Sequence, residues 1–326
     1  MISEMRPNHR KIRRTMKIIR KALIHNNDVA LLYSGGKDST LLLHLTLNAL
    51  LDFKSENQLL HIIFVDTLVE IPIIVKHVKR TLTAVKELAK EKNLHIKIAR
   101  LHPNSHETFW YYLFVKGYTP PSWRFRWCVK RLKINPFKRY LRRFKISAIL
   151  MGLRKSESLA RKRNMEKRGD KVLPFFGDRN VRVYLPLSDW SSIEVWNFLA
   201  KNSPPWGGSH SALFDLYGFT DDGNSNWNNG VRFGCWVCTV VRKDKAMQML
   251  GQRFSILKDL LEWKEWLRRI DYERKRHGKN GRLSKSERRK IYSSLIQLEK
   301  KTKLNLISKK EKQIIEKALL THPSKA

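Results

Sequence analysis

Ser34-Gly35-Gly36-Lys37-Asp38-Ser39-Thr40 is the stretch on which the reading of this chain turns. Before it, Val29-Ala30-Leu31-Leu32-Tyr33 reads as a buried strand. After it, Leu41-Leu42-Leu43-His44-Leu45 reads as the first turns of a helix. A strand, a glycine turn and a helix N-terminus together make an anion site. Glycine lets the backbone approach the anion, exposed N–H groups point at it, and the helix dipole favours its charge. Lys37 adds a point charge, and Ser39 and Thr40 add hydroxyl donors. Asp38 would repel a bare anion, and Mg2+ bridging it to phosphates gives the carboxylate a reason to be there. The spacing is not G-x-x-x-x-G-K-[ST], so the segment is not a Walker loop.

Working outward, further strands are expected at His61–Val65, Leu94–Ala99, Ser147–Met151 and Val181–Leu185. Helices are expected between them at Ser39–Leu51, Ile71–Lys92 and Pro136–Phe144. Strands alternating with helices predict an α/β fold with a doubly wound parallel sheet, whose ligands bind at the carboxyl ends of the strands. Ser34–Thr40, Asp66 and Gly152–Arg154 each follow a strand and are candidates for one crevice. Ser191…Glu194, Ser284…Glu287 and Ser308…Glu311 have capping-box spacing. Helices are therefore expected to about Ala200, over Phe254–Arg269, over Lys285–Lys301 and over Lys309–Leu320. The expected organisation is a basic amphipathic helix at 1–28, a nucleotide-binding α/β domain at 29–200, a cysteine-containing loop region at 201–250 and a basic helical region at 251–326.

Sixty-six Lys and Arg against 29 Asp and Glu give a formal net charge of +37 in 326 residues. Such an imbalance repels itself unless a polyanion neutralises it, and nucleic acid is the obvious one. The first helix, with Ile12, Met16, Ile19 and Leu23 at helical spacing, lacks the apolar core of a signal peptide. No stretch approaches the roughly 18 apolar residues of a membrane span, so no membrane partner and a cytoplasmic location are expected. Ten tryptophans are present, of which Trp110, Trp123, Trp127, Trp206 and Trp236 are candidates to stack on unpaired bases.

Three cysteines do not make a disulfide scaffold. Cys235 and Cys238 form Cys-x-x-Cys, and Cys128 lies among Arg124, Arg126, Lys130 and Arg131. That ring of cations is expected to lower the Cys128 thiol pKa. Zinc, an Fe–S cluster, a redox pair and inert buried thiols all fit the spacing. Three thiolates suit a [4Fe–4S] cluster with one iron left open.

Several segments together resemble one family. Ser34-Gly35-Gly36-Lys37-Asp38-Ser39 resembles the PP-loop of the adenine-nucleotide α-hydrolase superfamily. Asp66-Thr67-Leu68-Val69-Glu70-Ile71-Pro72, Phe125-Arg126-Trp127-Cys128 with Arg131-Leu132-Lys133-Ile134 and Pro136, and Gly152-Leu153-Arg154-Lys155-Ser156-Glu157-Ser158 with Arg161 resemble its phosphoadenosine-phosphosulfate-reductase-like branch. Trp206-Gly207, Gly234-Cys235-Trp236-Val237-Cys238-Thr239-Val240-Val241 and Asp244-Lys245 complete the set. The pattern is most similar to the DndC-type sulfurtransferases of DNA phosphorothioation.

The resemblance implies ATP bound by Ser34–Thr40 with Asp66, Gly152, Arg154, Glu157 and Arg161, and Mg2+ on Asp38. Catalysis falls to Lys37, Asp38, Arg154 and Cys128, and cluster ligation to Cys128, Cys235 and Cys238. It implies adenylation of a nucleic-acid oxygen, release of pyrophosphate, and replacement of the oxygen by sulfur, with DNA ahead of tRNA as substrate. Expected partners are a cysteine desulfurase as sulfur donor and other phosphorothioation subunits. A nucleic-acid-binding subunit that hydrolyses ATP without moving sulfur is the alternative outside sulfur transfer. Reductases of the branch use a cysteine near the C-terminus, and no cysteine follows Cys238, so that reduction is not expected.

Overall fold

The computed structural model describes residues 9–52, 58–157, 163, 173–175, 178–218 and 231–320. The chain divides into two compact units. The first comprises Met1–Val65, Pro72–Leu101 and Lys138–Asn229, the second Asp66–Ile71, His102–Phe137 and Gly230–Ala326.

The first unit is built on a six-stranded sheet with spatial order β3-β2-β1-β4-β6-β5. Its strands are β1 (Asp28–Leu32), β2 (Leu59–Val65), β3 (Ile96–Leu101), β4 (Ala148–Leu150), β5 (Leu173–Phe175) and β6 (Asp178–Tyr184). β1, β2, β3, β4 and β6 run parallel, and β5 closes the edge antiparallel to β6. The central strands are buried on both faces: Val29, Ala30, Leu31, Ile62, Ile63, Ile149 and Leu150 have no exposed surface. Continuous apolar runs of this kind mark a parallel sheet covered on both sides. Helix α1 (His9–Ile24) buries Thr15, Ile19, Ala22 and Leu23, and keeps its cations outward. Helix α2 (Lys37–Asp52) is buried from Ser39 through Leu47, as expected for a helix apolar on all sides. Helix α3 (Pro72–Glu91) leads to β3, α4 (Asn135–Phe144) leads to β4, and α5 (Ser192–Lys201) carries the full Ser191–Glu194 capping box.

From β1 the chain steps outward to β2 and β3, then returns to lay β4 on the other side of β1. The topological switch point therefore lies between the carboxyl ends of β1 and β4, where open α/β sheets bind ligands.

The second unit is helical. Its elements are α7 (Lys245–Arg253), α8 (Ser255–Arg276), α9 (Lys285–Thr302) and α10 (Lys309–Leu320), while the short α6 (Ser211–Leu216) belongs to the first unit. Two π-helical turns, Tyr111–Val115 and Val129–Ile134, were not legible in the sequence. Leu257, Leu260, Trp263, Leu267, Ile291, Leu295 and Ile315 line the helices' buried faces. Trp110, Trp236 and Trp263 pack in tilted and T-shaped pairs at 5.5–6.1 Å, and the Trp110 indole donates to the Leu306 carbonyl at 2.9 Å. Among the described residues no helix is long and apolar enough to cross a membrane.

Candidate functional site

Gly35 shapes the loop after β1. Its φ is +75°, and a Cβ there would lie 2.5 Å from Val78 Cγ2 on α3, so no other residue fits. The Thr40 amide donates to the Gly36 carbonyl at 2.9 Å, which starts α2. Ser39 Oγ accepts from the Ser34 amide at 3.2 Å and donates to the Gly36 carbonyl at 2.9 Å, tying the loop to the helix start. Gly152 lets the exit of β4 approach this turn, since a Cβ there would lie 3.0 Å from the Asp38 carbonyl oxygen.

These approaches bring three charges together. Lys37 Nζ lies 3.0 Å from Asp38 Oδ2, and Arg154 Nε lies 2.7 Å from Asp38 Oδ1. The Nε–Oδ1 approach is an ion pair without hydrogen-bond alignment, and Arg154 Nη2 donates to Asp38 Oδ2 at 3.4 Å. Arg154 is 4% exposed, and its guanidinium also donates to Ser156 Oγ at 2.8 Å and the Trp190 carbonyl at 3.3 Å. Glu157 accepts from the Arg154 amide at 3.0 Å. Burial pushes the Lys37 ammonium below the usual lysine range, and the Asp38 carboxylate opposes that shift. Two cations held by one carboxylate at a helix N-terminus form a positive, largely buried cradle suited to phosphate. The sequence reading missed Tyr217. Its hydroxyl accepts from the Lys37 amide at 3.3 Å, and burial raises its pKa. Nothing around Leu216-Tyr217-Gly218 signals that role, because the contact spans 180 positions of chain.

Behind the loop, His44 Nδ1 on α2 lies 3.2 Å from His210 Nε2. Burial, then His210, lowers the His44 pKa to about 3. Burial, then His77, lowers that of His210 to about 4, and burial, then Arg80, lowers that of His77 to about 4.

In the second unit, Asp66 directly follows β2 and is 2% exposed. Its Oδ1 accepts from the Leu68 amide at 2.8 Å, which holds Leu68 at φ +63°. Thr67 Oγ1 donates to Glu70 Oε1 at 2.9 Å and lies 3.3 Å from Cys235 Sγ. Cys235 Sγ donates to Glu70 Oε1 at 3.7 Å, and Lys133 Nζ lies 3.3 Å from the same oxygen. Burial, then Glu70, pushes the Cys235 thiol up.

Cys128 opens the second π-helical turn. The expectation of a lowered Cys128 pKa is corrected: burial, then Cys238, pushes the thiol up and outweighs Arg126. All three cysteines are free and partly exposed. They lie in one unit, yet among the described residues no group of three or more His, Cys, Asp or Glu is arranged to hold a metal ion. With Cys235 engaged by Thr67 and Glu70, no closed site for a single metal ion stands ready, while Cys238 acts on both Cys128 and Cys235 and so places the three thiols in one neighbourhood. Arg161 lies outside the described residues.

Two uncharacterized proteins of Methanocaldococcus jannaschii are similar to this chain. One is 29% identical over 240 residues, covering 73% of this chain and 40% of its own length. The other is 26% identical over 246 residues, covering 74% and 48%. The chain thus spans less than half the length of these relatives. Among solved structures, the phosphoadenylyl-sulfate reductase of Candida auris in its phosphate complex is 18% identical, with 65% of this chain and 89% of that chain covered and a TM-score of 0.41. The U34-tRNA thiolase NcsA of Methanococcus maripaludis with its [4Fe-4S] cluster is 16% identical, with 85% and 82% covered and a TM-score of 0.35. The profile of the phosphoadenosine phosphosulfate reductase domain matches residues 28–241, from β1 through the Cys235-x-x-Cys238 loop, and the chain belongs to that family of PP-loop nucleotide-binding enzymes.

Proposed function

We propose that this protein is an ATP-dependent sulfurtransferase that adenylates an oxygen of nucleic acid, most closely of the DndC type that makes DNA phosphorothioate. The observation that carries the reading is the Lys37–Asp38–Arg154 cradle at the N-terminus of α2, beside the Gly35 turn. A phosphodiester oxygen is a poor leaving group. Its attack on the α-phosphorus of ATP forms an O–P bond, breaks the bond to the β-phosphate and expels pyrophosphate. Lys37, Arg154 and the α2 amides would stabilise the charge that develops on the phosphates. Asp38 would turn from Arg154 and Lys37 toward Mg2+, which would supply charge neutralisation across the phosphates.

Sulfur would follow as a persulfide on one cysteine, loaded by a cysteine desulfurase. Its terminal sulfur attacks the activated phosphorus, and AMP leaves with the displaced oxygen. A second thiol of the set then attacks the carrier sulfur, releases the phosphorothioate and leaves a disulfide for an external dithiol to reduce. Cys128, Cys235 and Cys238 would hold a [4Fe–4S] cluster, for which Cys235 would leave Glu70. The proposed setting is the cytoplasm, with other phosphorothioation subunits as partners.

The test is incubation with ATP, Mg2+, a cysteine desulfurase, cysteine, and either duplex DNA or tRNA, followed by digestion and mass spectrometry. Phosphorothioate dinucleotides support the reading. Thionucleosides from tRNA move the substrate to RNA. ATP consumption with neither product makes the protein a nucleic-acid-stimulated ATPase.

A further inference from the structure

Of the five tryptophans whose sequence setting suits base stacking, Trp110, Trp127 and Trp236 are 1%, 8% and 2% exposed and belong to the core. Trp206 packs at 5.7 Å against His210 and is only partly exposed. Trp123 differs from all of them: 79% of its surface is exposed. A tryptophan left in water forgoes the burial that normally stabilises it, by an amount on the scale of the largest single side chains.

The turn that carries it is tightly fixed. The Ser122 amide donates to the Phe125 carbonyl at 3.3 Å, and the Phe125 amide donates to the Ser122 carbonyl at 3.2 Å. On one side, the Pro121 carbonyl accepts from Thr239 Oγ1 at 2.6 Å. On the other, the Trp127 indole donates to the Thr119 carbonyl at 3.1 Å and stacks on Phe109 at 5.4 Å. Phe125, 46% exposed, leans on Tyr118 at 5.6 Å. The exposed aromatic therefore sits on a rigid mount, so little side-chain or loop ordering remains to oppose binding.

Charge names the occupant. Trp123-Arg124-Phe125-Arg126 alternates aromatic and cation, and both arginines are exposed. A protein-docking or membrane-inserting tip would gather apolar neighbours, whereas here each ring is flanked by a guanidinium in a chain of net charge +37. Single-stranded nucleic acid meets both demands, because every unpaired base has a stacking face and every linkage a phosphate.

We propose that the Ser122–Phe125 turn is a stacking platform for an unpaired nucleobase, with Trp123 as the stacking face and Arg124 and Arg126 on the adjoining phosphates. The inference rests on the nucleic-acid reading above and deepens it: the protein engages its substrate where a base is out of the duplex. It commits the second unit to a strand-binding role irrespective of whether the modified atom is in DNA or RNA.

The test uses the full chain. Fluorescence anisotropy would follow binding of a labelled single strand of about 12 nucleotides and of the matching duplex, each across the same series of salt concentrations. Trp123→Ala should weaken single-strand binding at least about 5-fold, the lower end of one lost stacking contact, and change duplex binding less than about 2-fold. Trp123→Phe should retain most of the affinity. Arg124→Ala should weaken both forms together and flatten the salt dependence. An unchanged thermal melt shows that the exposed substitution has not disturbed the fold. Equal affinities of wild type and Trp123→Ala for the single strand overturn the platform but leave the nucleic-acid reading standing. The same follows if the variant loses both forms alike. Wild-type binding to neither form removes both.

Discussion

The phosphate cradle and the cysteine set are opposites in how far their chemistry is already built. In the cradle, the Gly35 turn, the α2 amides, Lys37 and Arg154 are fixed by backbone and by Asp38 before any ligand arrives. Preorganisation of that kind is what lets donors stabilise developing charge without first reorganising. In the cysteine set two thiols are biased toward the protonated form: burial and Glu70 push Cys235 up, and burial and Cys238 push Cys128 up. The difference teaches that, in the proposed reaction, activation would be ready-made while sulfur delivery would wait on a change at the thiols.

The largest effect should come from breaking one side without the other. Cys235→Ser should abolish sulfur incorporation while leaving pyrophosphate release within about 2-fold of wild type, read by product mass spectrometry and a coupled pyrophosphate assay. Loss of both activities would tie the two regions into one function. Arg154→Ala removes a buried donor of the kind worth about 10²–10³ in rate. Pyrophosphate release should fall by that factor, and the variant should melt lower because Asp38 loses its closest cation.

Gly35→Ala should cost about 1–3 kcal/mol through the strained φ of +75° and the Val78 contact, with weaker ATP binding by calorimetry and no change in thiol reactivity. Glu70→Gln removes the carboxylate beside Cys235 and should lower its thiol pKa, so alkylation at pH 8 should speed up several-fold while ATP binding stays put.

A last effect, on stability and not on chemistry, concerns acid. Burial holds the His44, His210 and His77 pKa values at about 3, 4 and 4 in the folded chain, below the 6.5 of an ordinary imidazole. Below pH 6.5 the unfolded chain binds protons that the folded one refuses, so stability falls as pH falls, by about 1.4 kcal/mol per pH unit for each group. The slope runs from pH 6.5 down to the folded values. His44→Phe should flatten it in urea melts at pH 5 against pH 7.

Much of this was legible because it is local. The strand at Asp28–Leu32, the loop and α2 lie in one run, and the capping boxes at Ser191 and Ser284 open helices within a residue of their expected places. α10 runs over Lys309–Leu320 as its capping box and periodicity indicate. Arg154 was legible as a residue after a strand, and the parallel sheet then carried it to Asp38. What stayed hidden depends on distant chain. Tyr217 meets Lys37 only through tertiary packing, and Glu70 meets Cys235 across an isolated bridge. The Cys128 shift went the other way from expectation because the flanking arginines read as close in sequence, while the buried thiol responds to solvent exclusion first. The π-helical turns differ from an ordinary helix by one residue per hydrogen-bonded turn, which periodicity over five or six residues cannot separate.

The central claim is that the Ser34–Thr40 cradle directs attack at the α-phosphorus of ATP. The most direct measurement is identification of the nucleotide products of ATP turnover with Mg2+ and nucleic acid present. The account predicts AMP and pyrophosphate in equal amounts, both falling by about 10²–10³ in Arg154→Ala. ADP and inorganic phosphate as the products would contradict it.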